Sequence, residues 1–167
     1  KIDITAPAEI TPANTPLGFA PSYSLTASPG SGISNARLVV TLPRGYYPST
    51  ATGPAGVTAS CNPSPYGTTG AVCTFNLVIS DGQAISGQGL IQGAYYGFVA
   101  DDGELTTTTA SLLADYSGGA MTPITVTKQT LVHANALPQI NIIDVSGSEW
   151  LVNPNTGEPG LAYEYTL

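Results

Sequence analysis

Punctuation constrains this chain more than any other feature. Every stretch long enough for three helical turns is interrupted by Gly, Pro or a β-branched run, so no window carries apolar residues at helical spacing. Alternation with a period of two recurs instead. It is found in Tyr23-Ser24-Leu25-Thr26-Ala27, in residues 36–42 ahead of Pro43, and in residues 57–61 and 72–77. Further strands are predicted over residues 89–99, 105–114 and 124–132, set apart by the turn sequences Asp101-Asp102-Gly103 and Ser117-Gly118-Gly119. Short strands so spaced, with no helix between them, predict an all-β fold of two packed antiparallel sheets.

At 167 residues the chain is long enough to bury a substantial core without metals or extra cross-links. Only 9% of its residues are charged, so hydroxyls, amides and backbone must cover most of its surface, as is common in secreted β-proteins. The formal net charge of -7 would repel a phosphate backbone and an anionic lipid surface alike. Nucleic acid is therefore not an expected partner. Direct membrane insertion is not expected either, since no apolar run approaches the roughly 20 residues that span a bilayer. No charged-then-apolar leader opens the chain. Starting at Lys1 and stopping mid-pattern at Leu167, it reads as a piece of a longer polypeptide, with any export signal or anchor outside it.

Cys61 and Cys73 enclose Pro63, Pro65, Gly67 and Gly70, the residues of a tight excursion that returns the chain to its start. This favours a disulfide-closed hairpin over two buried free thiols. Such a bond would persist only in an oxidising compartment, which points to an extracellular or cell-surface location. A zinc site is disfavoured, because two thiolates and the distant His133 do not complete a tetrahedral shell.

The end of the chain repeats the plan of its beginning. Ile2-Asp3-Ile4-Thr5, a Pro- and Asn-containing stretch and residues 22–26 are echoed after about 138 residues by residues 139–145, the turn-rich residues 153–157 and residues 163–167. The expected organisation is a β-sandwich module over residues 1–137 and a β-rich extension over 138–167. That extension reads either as the opening of a second copy or as an unrelated hairpin of similar composition.

Residues 23–114 resemble a bacterial surface-repeat family known as domain of unknown function eleven. Tyr23-Ser24-Leu25-Thr26-Ala27 is similar to the family's first strand, and residues 34–45, Ser-Asn-Ala-Arg-Leu-Val-Val-Thr-Leu-Pro-Arg-Gly, to its A-x-x-V-x-x-x-L-P-x-G segment. Ala59-Ser60-Cys61 with Ala71-Val72-Cys73-Thr74-Phe75 resembles its cysteine-paired hairpin, and residues 105–113 its closing strand. Ser28-Pro29-Gly30-Ser31-Gly32 departs from the Thr-Asn pair and Gly that usually follow the first strand. The resemblance implies an immunoglobulin-like sandwich that recurs in tandem within long secreted or cell-wall proteins, often adhesins or stalks. It implies no catalytic residue.

Candidate sites are few. Asp101, Asp102 and Glu104 cluster in a predicted turn and offer a calcium clip, although six to eight oxygen ligands are normally needed and the turn supplies three side chains. No other cofactor is expected. Trp150, Tyr163 and Tyr165 gather aromatic rings of the kind that bind glycans, while Tyr46-Tyr47 and Tyr95-Tyr96 sit near Gly- and Pro-rich turns. Adjacent strand tyrosines face opposite sides, so packing accounts for most of them. His133 ends a predicted strand without a nucleophile elbow, which argues against a hydrolase. Lys128 is the only internal lysine that could form an isopeptide bond, a reaction that requires burial beside an Asn and a carboxylate. The expected function is thus non-catalytic: a spacer or partner-contacting module of a bacterial surface, fibre or adhesin protein, touching protein or glycan through loops at residues 45–56 and 63–70. Homo-oligomerisation is a further expectation where residues 138–167 are the orphaned opening of a second copy, whose exposed strands could pair with another chain. The alternative is a carbohydrate-binding module of a secreted protein.

Overall fold

The computed structural model describes residues 1–11, 17–62, 70–95, 103–133, 145–152 and 159–165; for Leu17 and the last two runs it describes the backbone alone. All the regular structure in these residues is strand. The chain divides into two units, Lys1–Asn135 and Ala136–Leu167.

Twelve strands build the first unit: β1 (Ile2–Thr5), β2 (Glu9–Ile10), β3 (Leu17–Thr26), β4 (Ser34–Thr41), β5 (Tyr46–Thr52), β6 (Thr58–Asn62), β7 (Val72–Asn76), β8 (Ala84–Gln88), β9 (Leu90–Tyr95), β10 (Leu105–Tyr116), β11 (Gly119–Ala120) and β12 (Ile124–Val132). They form two sheets. The first runs β1-β3-β9-β5 with β8 also on β3, and the second runs β2-β12-β10-β4-β7-β6 with β11 on β10. The all-β immunoglobulin-like sandwich expected from the sequence is the observed fold. One pairing departs from the antiparallel plan: β2 lies parallel to β12, with Glu9 opposite Leu131 and Ile10 opposite Val132.

Alternation explains why these strands pack as they do. Along β4, Ala36, Leu38 and Val40 are buried; β10 contributes Ala110, Leu112 and Ala114, and β7 contributes Cys73 and Phe75. Ile4, Phe19, Tyr46 and Ile91 of the other sheet meet them in one core. Burying each large apolar side chain is worth about 1.5–3 kcal/mol, so this core is the main source of stability. Phe19 and Tyr46 meet edge to face, with ring centroids 4.8 Å apart. Outward-facing residues of the β10–β12 pair are uncharged where Thr107, Thr109 and Ser111 of β10 stand opposite Gln129, Thr127 and Thr125 of β12.

The region around residues 45–56 corrects the sequence reading. Expected as a contact loop, it contains β5, which pairs with β9 from Tyr46 opposite Tyr95 to Thr52 opposite Leu90. Pro48 and a register shift between Pro48 and Thr50 break the alternation that would have revealed the strand. Gly93 faces this bulge, where a side chain would run into the Tyr47 carbonyl. The strand predicted over residues 89–99 is β9, from Leu90 to Tyr95, and the unpredicted β8 precedes it with only Gly89 between them; residues 96–99 lie outside the described residues.

In the second unit, β13 (Val145–Val152) and β14 (Pro159–Tyr165) form an antiparallel hairpin with a register shift between Ser146 and Ser148. Of the strand predicted at residues 139–145, only Val145 is among the described residues, where it opens β13.

Candidate functional site

One end of the sandwich gathers most of the ionisable groups that the first unit places near one another. Leu42–Gly45 carries the chain from β4 into β5 there, and Arg44 projects a guanidinium whose Nη2 donates to Glu104 Oε2 at 3.2 Å. Both side chains are about one-third exposed, at 38% and 34%. A pair this wet is worth at most about 1 kcal/mol, so it orders the surface more than it stabilises the fold. Tyr95 lies buried close by. Burial raises the pKa of its phenol, the Glu104 carboxylate raises it further, and Arg44 partly offsets both.

A cleft of about 360 Å³ opens beside the ion pair, lined by Thr41, Leu42, Arg44, Gly70, Glu104 and Thr106 among others. Gly70 is required for its shape, because a side chain there would strike the Leu42 carbonyl. Leu42 N in turn donates to the Ala71 carbonyl at 2.9 Å. At the same end His133 Nε2 lies 3.5 Å from Glu9 Oε2, and His133 N donates to the Ile10 carbonyl at 2.8 Å. Hydroxyls, the Arg44 guanidinium, the Glu104 and Glu9 carboxylates and the His133 imidazole make this end polar. Among the described residues, no group of three or more His, Cys, Asp or Glu side chains is placed to hold a metal ion.

Cys61 and Cys73, singled out in the sequence, form a disulfide across β6 and β7, directly opposite each other with Cα atoms 4.0 Å apart. Of the calcium candidates, Glu104 pairs with Arg44, while Asp101 and Asp102 lie outside the described residues. Trp150 is on β13 opposite Leu161; Tyr163 and Tyr165 are on β14 opposite Ser148 and Val145. Their side chains lie outside the described residues, as do residues 63–69 of the second expected contact loop. Tyr46, Tyr95 and Tyr23 are core residues rather than surface platforms, and burial raises the phenol pKa of each. Lys128 does not meet the burial that isopeptide formation needs: its side chain is 49% exposed and lies 3.8 Å from Asp3 Oδ1.

Sequence reasoning missed Arg44 and Glu9, whose partners are distant in the chain. It also missed a brace at the opposite end. There Asp81 Oδ1 accepts hydrogen bonds from Ser31 Oγ at 2.8 Å and Ile33 N at 3.3 Å, which hold its carboxyl below the usual range. Asn35, in the left-handed region at φ 51°, donates through Nδ2 to Asp115 Oδ2 at 2.8 Å. The one available signal was the Ser28-Pro29-Gly30-Ser31-Gly32 run, which needs an external acceptor to fix it.

No protein-family model matches the chain, and neither does any curated protein. Among solved structures, it is similar to a cohesin module from a family 33 glycoside hydrolase of Clostridium perfringens, with a TM-score of 0.51 and 10% identity over 80% of this chain and 96% of that one. The likeness is one of fold. A protein from Nocardia farcinica, described as having an immunoglobulin-like fold, matches at a TM-score of 0.38 and 16% identity over 99% of this chain and 98% of that one, too loosely to build on.

Proposed function

We propose that this chain is a non-catalytic extracellular module that acts as a spacer or partner-contacting unit in a bacterial surface, fibre or adhesin protein, in the manner of the domain of unknown function eleven repeats it resembles. The observation that carries this reading is a disulfide-tied β-sandwich whose β10–β12 pair turns a row of hydroxyls and an amide outward. A disulfide of this kind persists where thiols are not kept reduced. The cohesin fold supports the reading further, since the similar structure is itself one module of a larger enzyme. Contact with a protein partner is assigned to the end that carries Arg44, Glu104 and the adjoining cleft, where polar side chains stand on rigid strand ends.

The test is adhesion of beads coated with the chain to bacterial cells and to immobilised polysaccharides, alongside assays on a panel of ester, peptide and glycoside substrates. Protease-sensitive adhesion to cells that weakens with Arg44→Glu is expected. Binding to purified polysaccharide that is lost with Trp150→Ala would move the assignment to a carbohydrate-binding module. Turnover of any substrate would overturn the non-catalytic reading.

A further inference from the structure

The outer edge of β12 is the one long strand edge of the second sheet left open among the described residues. On its inner side β12 pairs with β10 without a register shift, from Ile124 opposite Leu112 to Leu131 opposite Leu105. On its outer side, among the described residues, only the end of the strand is used: Leu131 N donates to the Ala8 carbonyl at 3.0 Å and His133 N to that of Ile10 at 2.8 Å. Backbone groups along a strand alternate in direction, so Thr125, Thr127 and Gln129, of the same parity as Leu131, turn their N–H and C=O groups toward the open side.

Other edges carry the features that discourage strand addition. Pro48 and a bulge interrupt β5; β1, β6 and β8 are only 4, 5 and 5 residues long. β12 has neither proline nor bulge within its 9 residues. Its one charge, Lys128, would ordinarily blunt an edge, yet it is directed to Asp3 at 3.8 Å. Ile124, 46% exposed, and half-buried Val126 leave apolar surface beside the open ladder.

We propose that this edge pairs with the same edge of a second copy of the chain, antiparallel about a two-fold axis through Thr127. The choice of a second copy rests on the symmetry of the open segment. It is bounded on one side by Pro123, which has no N–H to give, and on the other by Leu131, already bonded to Ala8. Thr127 stands midway between these stops. In that register Thr127 faces Thr127, Thr125 faces Gln129 and Ile124 faces Thr130 of the second copy, so every outward backbone group between the stops is satisfied. Val126 faces Lys128, which keeps the two lysines from standing directly opposite each other. An isologous contact of this kind closes as a dimer. The contact is small and belongs to the weak, reversible class, below about 1,200 Å² of buried surface.

This inference does not depend on the proposed function. The experiment is sedimentation of the full chain up to about 1 mM, the range in which weak association becomes visible, combined with single-cysteine variants, which report cleanly because both native cysteines are in the disulfide. Reversible dimers are expected, abolished by Thr127→Pro and kept by Thr127→Ser. Under mild oxidation, Thr127→Cys is expected to cross-link to itself at least 10-fold faster than Thr125→Cys or Gln129→Cys alone. A mixture of those two is expected to cross-link to each other. Thr127→Pro changes an outward amide on an edge strand, and near-ultraviolet dichroism verifies that it folds. A chain that stays monomeric and gives no Thr127→Cys cross-link overturns the proposal, whatever other strand the edge takes. So does equal self-cross-linking at residues 125 and 127.

Discussion

Thr108 sits on β10 with its side chain fully buried and, among the described residues, its Oγ1 has no hydrogen-bond partner; the hydroxyl of buried Tyr95 shares that condition. A buried hydroxyl with nothing to bond loses its hydration and regains little, whereas an apolar group of the same shape does not. Thr108→Val is therefore expected to stabilise the fold by about 1 kcal/mol, read as a higher urea midpoint at unchanged slope. The neighbouring Thr130 is the contrast. Its Oγ1 donates to the Pro7 carbonyl at 2.8 Å, so Thr130→Val should destabilise; equal effects at both positions would refute the distinction. Asp81 offers a test by pH. Hydrogen bonds from Ser31 and the backbone of the 30–33 loop hold its folded pKa below 3.8, so the unfolded chain takes up its proton first. The stabilisation it contributes is present above that value and disappears as pH falls through the lower folded pKa. Asp81→Asn should thus melt below the wild type at neutral pH, with the gap shrinking in acid below 3.8. A gap that does not change with pH would remove Asp81 from the account. Contacts of this kind were not legible in the sequence: Asp81 meets Ser31, and Arg44 meets Glu104, only once strand register has brought distant segments together.

Elements were more legible than contacts, and the reasons differ from strand to strand. β4, β7 and β12 alternate cleanly or are flanked by turn residues, so their positions followed from pattern. β5 was hidden by Pro48 and its bulge, β8 by its small residues Ala84, Ser86 and Gly87, and the two-residue β2 by its shortness. The parallel pairing of β2 with β12 depends on long-range geometry that local composition does not encode. The β6–β7 hairpin was the best marked, because its cysteines and the Pro- and Gly-rich residues between them point to the same closure. β6 is the last strand of its sheet and only 5 residues long, so the disulfide does much to keep it paired. With a sequence separation of 12, the chain-entropy account gives the bond about 3 kcal/mol. Reduction is expected to lower the urea midpoint of the wild type by a corresponding amount, while leaving Cys61→Ala/Cys73→Ala unchanged. Identical midpoints for oxidised and reduced wild type would mean that the β6–β7 pairing is secured by its neighbours alone.

For the whole molecule, the open question is whether the first unit is self-sufficient. Its core, among the residues whose side chains are described, draws on both of its sheets, from Ile2 and Ile4 near the start to Val132 near the end. A chain as long as that unit buries enough surface to fold alone. The second unit, for its part, has a pairing of its own. Its two strands pair with each other, Ser148 opposite Tyr163 and Val145 opposite Tyr165. This register gives the extension a local hairpin partner, and a two-stranded hairpin by itself is at best marginally stable in water. We therefore expect a chain ending at Asn135 to form the Cys61–Cys73 disulfide, retain the near-ultraviolet dichroism of the full protein and melt within a few degrees of it. Hydrogen exchange on the full chain should show protection in β4, β7 and β10 far above that in β13 and β14. A truncated chain that is unfolded, or equal protection throughout the full chain, would show that the first unit needs the extension and that the sandwich boundary lies beyond Asn135.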